Sequence, residues 1–278
     1  MALFLADSHA PWSPASEQAI VTLVVGERYQ ACLENVTRPS WLAYADRHHA
    51  DVILVRQPLD GSHLAGMRSV AWQKCLIPAQ PWARRYRRLC WVDADILMNP
   101  HAPDIFAEVP EEKIGASLVH DQLSDAERHI LLERAFNAVI PQDLFPRAWG
   151  QCQVDLYAKA GVATQIQDMV QTGVLVFSPE RDGEVFAAAY RRTEASISYE
   201  QPSLSFEILS SGRMHRMTAR WNWGFYDAVT VHHPDLIEPG VGLRDLPDQL
   251  VAVARTEIRN AYFLHFYHAF HVLARLRL

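Results

Sequence analysis

The chain has only four cysteines in 278 residues, Cys32, Cys75, Cys90 and Cys152, and no two share C-x-x-C spacing. That excludes the usual zinc and dithiol motifs and points to reduced thiols in a cytosolic protein. Basic charge is also short. Lys and Arg number 26 against 32 Asp and Glu, a net charge of −6, so the footprint of a nucleic-acid binder is absent. No apolar run approaches the roughly eighteen residues of a membrane span. The opening "MALFLADSHAPWSPASEQ" has no basic segment, and its apolar run, Ala2 to Leu5, is too short for a secretory leader. A cytoplasmic protein is expected. Glycine is sparse where phosphate-binding loops need it: "VVGERYQ" carries a single one, which disfavours a nucleotidyltransferase. Repeats, low-complexity tracts and linkers are missing, so one domain over residues 1–278 is expected.

What is present is an alternation of short β-branched runs with helical spacing. "AIVTLVVG" (19–26), "ADVILV" (50–55), "RLCWVDAD" (88–95) and "KIGASLV" (113–119) read as strands. Helical spacing runs through 28–48, with a break expected near Pro39, and through 66–77, with a stop expected at Pro78. Further along, 125–139, 183–197, 200–212 and 246–262 read as helices, and "QTGVLVFSP" (171–179) and "YFLHFYH" as strands. This order predicts an α/β layered sheet, mostly parallel, with helices on both faces. The C-terminal "HVLARLRL" is apolar and basic. It reads as an amphipathic helix end, with weak membrane-surface contact as the other reading.

The segment "RRLCWVDADILMNP" ends an apolar run in two carboxylates, Asp93 and Asp95. In a parallel sheet, ligands gather at the carboxyl ends of strands. Residues i and i+2 on a regular strand share one face, but a strand end can turn and reshape that pairing, letting both carboxylates reach one cation. Hard oxygen ligands suit Mg²⁺ or Mn²⁺, and an ion with few protein ligands can bridge nucleotide phosphates. The plain alternative is an aspartate pair that caps the next turn.

The pattern of apolar residues, Asp-Ala-Asp, Ile-Leu and a nearby Asn-Pro resembles the metal motif of GT-A glycosyltransferases, most closely the retaining families 8 and 34. In those families the aspartates bind Mn²⁺, which holds the diphosphate of a nucleotide-sugar. Further segments resemble the same families in the same order. "TLVVGERYQACLENVTRPSWLAYA" is similar to their nucleotide-binding start, and "SVAWQKCLIP" to the helix whose basic residue faces the donor, here Lys74, with Arg68 as the alternative. "QTGVLVFSP" is similar to their N-x-G strand with Gln171 for asparagine, and "YEQPSLSFEIL" to their D-Q-x-x-L helix start with Glu200 for aspartate. "FLHF" is similar to the late histidine that completes the metal shell, here His265. The Gly and Lys that follow that histidine in family 8 are absent from "HFYHAFHVLARLRL"; His268 or Arg275 are the available substitutes.

The resemblance implies a metal-dependent transfer of a hexose or pentose from a nucleotide-diphosphate sugar, a UDP-sugar first, to a hydroxyl acceptor with retention. It implies a donor site of Val25, Gly26, Tyr29, Lys74, Asp93, Ala94, Asp95, Gln171, Thr172 and Gly173, and a metal shell of Asp93, Asp95 and His265. Glu200 and Gln201 are the candidates to face the developing sugar cation. Each has a structural reading beside it: Glu200 as a helix-start carboxylate, Gln171 as a partner for backbone groups, Lys74 as a solvated helix lysine and His265 as a hydrogen-bonded core residue. Trp221 and Trp223 are candidates for sugar stacking or for the core, and the pairs His48-His49 and His232-His233 read as surface. Two rivals stand against the transferase. One is a degenerate nucleotide- or carbohydrate-binding module. The other is a haloacid-dehalogenase-type phosphohydrolase, whose motif normally lies in the first strand and wants Thr or Val where Leu97 stands.

Overall fold

The structure, a computed structural model, describes residues 2–6, 13–124, 126–128, 130–131, 149–192, 199–237 and 246–276. Ten strands occur among them: β1 (Leu3–Leu5), β2 (Gln18–Leu23), β3 (Asp51–Val55), β4 (Arg88–Val92), β5 (Ile96–Met98), β6 (Ile114–Leu118), β7 (Val170–Phe177), β8 (Met214–Arg216), β9 (Trp223–Gly224) and β10 (Phe263–His265). Seven form one sheet in the order β1-β3-β2-β4-β7-β6-β8. Its pairings are parallel except at β7, which runs antiparallel to both neighbours. The expected mixed α/β, mostly parallel sheet is the fold observed.

Both faces of this sheet are buried, as parallel sheets require. Ile20, Val52, Leu54, Cys90 and Val176 face one core with Trp41 and Tyr44 of the helix Arg38–Arg47. The alternate residues Val21, Ile53, Leu89, Trp91 and Leu175 face a second core. That core is closed by Phe186 of the helix Pro179–Arg191 and by Leu204 and Ile208 of the helix Gln201–Ser210. The near-continuous apolar strand runs in the sequence are therefore two-sided burial.

The remaining strands form a small sheet, β5-β10-β9, with β10 antiparallel to β5 and parallel to β9. Leu97 and Leu264 pair across it and enter a third core with Phe225, Phe266 and Leu250. Trp221 is fully buried and packs on Tyr262 and Phe263.

Several boundaries differ from the sequence reading. No break occurs at Pro39. The helix Glu27–Cys32 passes through a π segment, Leu33–Thr37, into Arg38–Arg47, with Pro39 in the first turn of the last piece. A proline ring clashes with the carbonyl four residues back in an α-helix, and widening to π geometry relieves it. Pro78 likewise does not end its helix, because Val70–Ala79 is a 3₁₀ helix that contains it. The run near the N-terminus is the edge strand β1, anchored where Ala2 N donates to Asp51 at 2.7 Å. The pair His232-His233 is not simply surface: both rings meet the buried Glu257, at 2.9 and 3.2 Å. Cys32, Cys75 and Cys90 are free and buried. Most of 125–139 and the end of 183–197 lie outside the described residues. Among the described residues no helix is long and apolar enough to cross a membrane.

Candidate functional site

The strand carrying "RLCWV" stops at Val92, so Asp93 to Asp95 form a turn between the two sheets. Four hydrogen bonds fix that turn. Asp93 N donates to Gly173 O at 2.9 Å and Ile96 N to Asp93 O at 3.2 Å. Phe266 N donates to Asp95 O at 3.0 Å, and Thr37 Oγ1 to Ala94 O at 3.2 Å. The turn brings both carboxylates to the same side, where β10 delivers His265. Its Nε2 lies 3.2 Å from Asp95 Oδ1 and 3.9 Å from Asp93 Oδ2. One ligand atom from each of the three residues lies within 4.8 Å of the others.

Two carboxylate oxygens and one imidazole nitrogen make a donor set that fits a divalent cation such as Mn²⁺. The histidine is buried, while the Asp93 and Asp95 side chains keep 28% and 21% exposure, which leaves an open side for further ligands. Burial pushes the Asp95 carboxyl up, but the charge and hydrogen bond of His265, a backbone N–H and Lys74 outweigh it and hold it below the usual carboxylate range. Burial and the Asp95 charge raise the neighbouring Cys32 thiol to about 11.

Lys74 lies inside the protein beneath this cluster. Its Nζ meets Glu200 Oε1 at 2.7 Å, Asp93 Oδ1 at 3.0 Å and Thr172 O at 3.2 Å, 5.3 Å from the centroid of the Trp91 ring. Burial pushes the ammonium down, but Asp93 and Glu200 outweigh that and hold its pKa above the ordinary value. Trp91 Nε1 also donates to Asp93 Oδ1 at 2.8 Å, so Oδ1 is engaged and Oδ2 is the oxygen turned toward His265. Glu200 stands at the N-terminus of the helix Gln201–Ser210 without capping it. Its carboxylate instead takes Lys74 and the hydroxyl of Thr172, at 2.8 Å. Gln201 Nε2 donates to Val170 O at 3.0 Å.

Thus Lys74, Asp93, Ala94, Asp95, Thr172, Gly173, Glu200 and His265 share one neighbourhood, with Gln171 on β7 and Gln201 at the start of the helix Gln201–Ser210 at its edge. Val25, Gly26 and Tyr29 sit at the carboxyl end of β2. Gly26 has φ +95°, and Tyr29 is half exposed against Phe270. Arg68 is elsewhere: its guanidinium donates to Tyr190 O at 2.8 Å and to Arg192 O, and stacks over Trp72. Arg275 pairs with Asp248 at 2.7 Å, and His268 is exposed with φ +60°.

Three residues at this site were absent from the sequence reading: Trp91, Thr37 and Asn222. The first two are hidden in apolar or helical runs. Asn222, a fully buried amide between two tryptophans in "WNWGF", carries a visible signal, because a polar side chain in such a run needs a buried partner. That partner is His265 Nδ1, at 2.8 Å. Glycine is required at two neighbouring positions. A Cβ on Gly173 would lie 2.5 Å from His265 Cε1, and one on Gly224 would lie 2.0 Å from Asp227 Oδ2. A separate hollow of about 390 Å³, lined by Arg220, Trp223, His232 and Asn260, lies on the other side of β9, where strand alternation turns Trp223 away from His265.

The chain is similar to a glycosyltransferase involved in glycosylation of the major capsid of PBCV-1, at TM-score 0.50 and 13% identity, over 91% of this chain and 97% of that one. It is also similar to the bifunctional glycosyltransferase WbbM in its apo form, at TM-score 0.55 and 13% identity, over 92% of this chain and 47% of that one. The chain therefore has a glycosyltransferase fold. No protein-family model matches it. No curated protein matches its sequence.

Proposed function

We propose that the chain is a GT-A-type glycosyltransferase that moves a hexose or pentose from a nucleotide-diphosphate sugar, UDP-linked, to a hydroxyl acceptor with retention. The observation that carries this reading is the convergence of Asp93, Asp95 and His265 at the carboxyl edge of the sheet. Charge supports it. Asp93, Asp95 and Glu200 bring three negative charges and Lys74 one positive, and the two left over match one divalent cation. A bound Mn²⁺ or Mg²⁺ would supply Lewis-acid stabilisation of the departing diphosphate.

The chain's own residues do the rest. Lys74 neutralises Asp93 and Glu200 from below and holds both carboxylates in fixed positions, which favours stabilisation without reorganisation. Glu200 is held in place by Lys74 and Thr172. It acts by facing the positive charge that develops on the sugar carbon. Gln201 donates its N–H to Val170, which leaves its amide oxygen for the same cation. The acceptor hydroxyl then attacks on the face the diphosphate leaves, its proton passing to the departing phosphate oxygen as the sugar–phosphate bond breaks, and no covalent sugar intermediate is needed.

The test is thermal unfolding with a panel of nucleotide-sugars, with and without Mn²⁺. The right donor at about 100 times its dissociation constant adds about 2.7 kcal/mol to stability. Asp95→Asn abolishes the Mn²⁺-dependent part. Donor stabilisation that survives intact in Asp95→Asn, or none with any sugar nucleotide, refutes the reading. Tight donor binding without transfer or hydrolysis would instead assign the chain to the non-catalytic binding modules.

A further inference from the structure

Resting on the metal-site reading above, we propose that Asn222 is a positioning residue for His265: its side-chain amide fixes the imidazole as the Nδ1–H tautomer and presents Nε2 to the cation. Neutral imidazole has one N–H and one lone pair, so whichever nitrogen donates decides which one can ligate. His265 Nδ1 lies 2.8 Å from Asn222 Oδ1, and Nε2 is the nitrogen that faces Asp95 and Asp93.

The orientation of an amide has to be argued from its partners, and here both ends are determined. Asn222 Nδ2 lies 3.3 Å from the carbonyl oxygen of Gln171, which only accepts. Flipping the amide would set its oxygen against that carbonyl. Oδ1 therefore faces His265, and Nδ1 must carry the proton. The pair is sealed from water, with Asn222 at 0% and His265 at 4% exposure, so solvent does not take over the role.

The backbone that carries this amide is itself held in place. Gln122 Nε2 donates to Asn222 O at 2.8 Å, and Gln122 Oε1 accepts from Gly224 N at 2.8 Å. The ring has a matching seat: Gly173 leaves the space a Cβ would fill, and the Tyr267 ring stands edge-on at 5.0 Å. The geometry also opposes a competing tautomer. With Nε2–H, the ring would donate to Asp95 Oδ1 at 3.2 Å and leave no lone pair for a metal. Asn222 counters that pull without adding charge. An outer partner that fixes tautomer and ring orientation is worth 10- to 100-fold in metal affinity.

The experiment titrates Mn²⁺ alone into the full chain, following free Mn²⁺ by electron paramagnetic resonance, for wild type, Asn222→Leu, Asn222→Asp and His265→Ala. Asn222→Leu should weaken binding roughly 10- to 100-fold, while Asn222→Asp, which keeps the acceptor oxygen, should stay within a few-fold of wild type. In parallel, ¹⁵N NMR of the metal-free protein with neutral imidazole should show His265 protonated on Nδ1 in wild type and shifted toward Nε2 in Asn222→Leu. Unchanged affinity and tautomer in Asn222→Leu overturns the role of Asn222 while the metal site stands. Equal weakening in Asn222→Asp and Asn222→Leu overturns it too, since the acceptor oxygen would then be irrelevant. A wild-type chain that binds no Mn²⁺ overturns both this inference and the reading beneath it.

Discussion

Replacing Lys74 by Met distinguishes two roles for one side chain. Met keeps the aliphatic stem and removes the charge. The structure gives Lys74 3% exposure and Glu200 2%, with their charged atoms 2.7 Å apart. Removing one partner of such a buried pair leaves an uncompensated charge and costs about 3–5 kcal/mol. Asp93, at 28% side-chain exposure, adds little because water reaches it. For a chain of this size the loss lowers Tm by roughly 5–9 °C. Lys74→Met combined with Glu200→Gln removes both charges, so the double variant should lose less than the sum of the two single losses, by a coupling of about 1–3 kcal/mol. The assay is denaturant and thermal unfolding of the metal-free protein for the two single variants and the double. A loss below about 1 kcal/mol in Lys74→Met, together with a fall in donor affinity, would refute the internal role and make Lys74 a direct donor contact.

Gly173→Ala should abolish Mn²⁺ binding at a stability cost of only about 1–3 kcal/mol, because its Cβ would press on the His265 ring; titration of Mn²⁺ beside a melting curve checks both halves. The Asp95 carboxyl is held below its usual range, so its contribution to stability is present above about pH 4 and is lost as pH falls through the lowered folded value. Asp95→Asn should therefore lose stability less steeply on acidification than wild type, read from Tm against pH; parallel acid limbs would contradict this. Glu200→Gln should cut turnover by ~10²-fold or more with donor affinity nearly unchanged, because the charge it faces exists mainly in the transition state. Proton NMR of the first product from an α-linked donor should show an α linkage, and a β-linked product would require an inverting mechanism.

Much of the fold was legible because buried parallel strands write themselves as continuous apolar runs. β2, β3, β4 and β6 each appear within three residues of their expected bounds. The antiparallel course of β7 was not legible, since strand direction leaves no mark in a run of apolar residues. β1, β5 and β9 span only two or three residues, too few to show any period. At the candidate site, Asp93 and Asp95 could be found because carboxylates stand out at the end of an apolar strand, whereas His265 in its apolar run reads as a core residue and is singled out only by the resemblance of "FLHF". The work of Lys74 could not be found. A lysine in a helical stretch looks alike whether it meets solvent or two carboxylates, and only the tertiary fold brings Glu200 to it, 126 positions later by residue number. The reason for Gly173 is just as invisible locally, since it is a histidine ring nearly a hundred residues away.

The Asp93–Asp95 turn is also where the chain leaves one sheet and enters the other, because β4 ends at Val92 and β5 begins at Ile96. His265 ends the strand that pairs with β5. A cation held between the aspartates and this histidine would act as a rivet through a seam, joined to the large sheet through Asp93 and to the small one through His265. Any sliding of the small sheet would change the coordination distances before it disturbed either core. Occupancy and the stiffness of the seam would then be one property, visible as slower amide exchange along β5 and β10 when the ion is present.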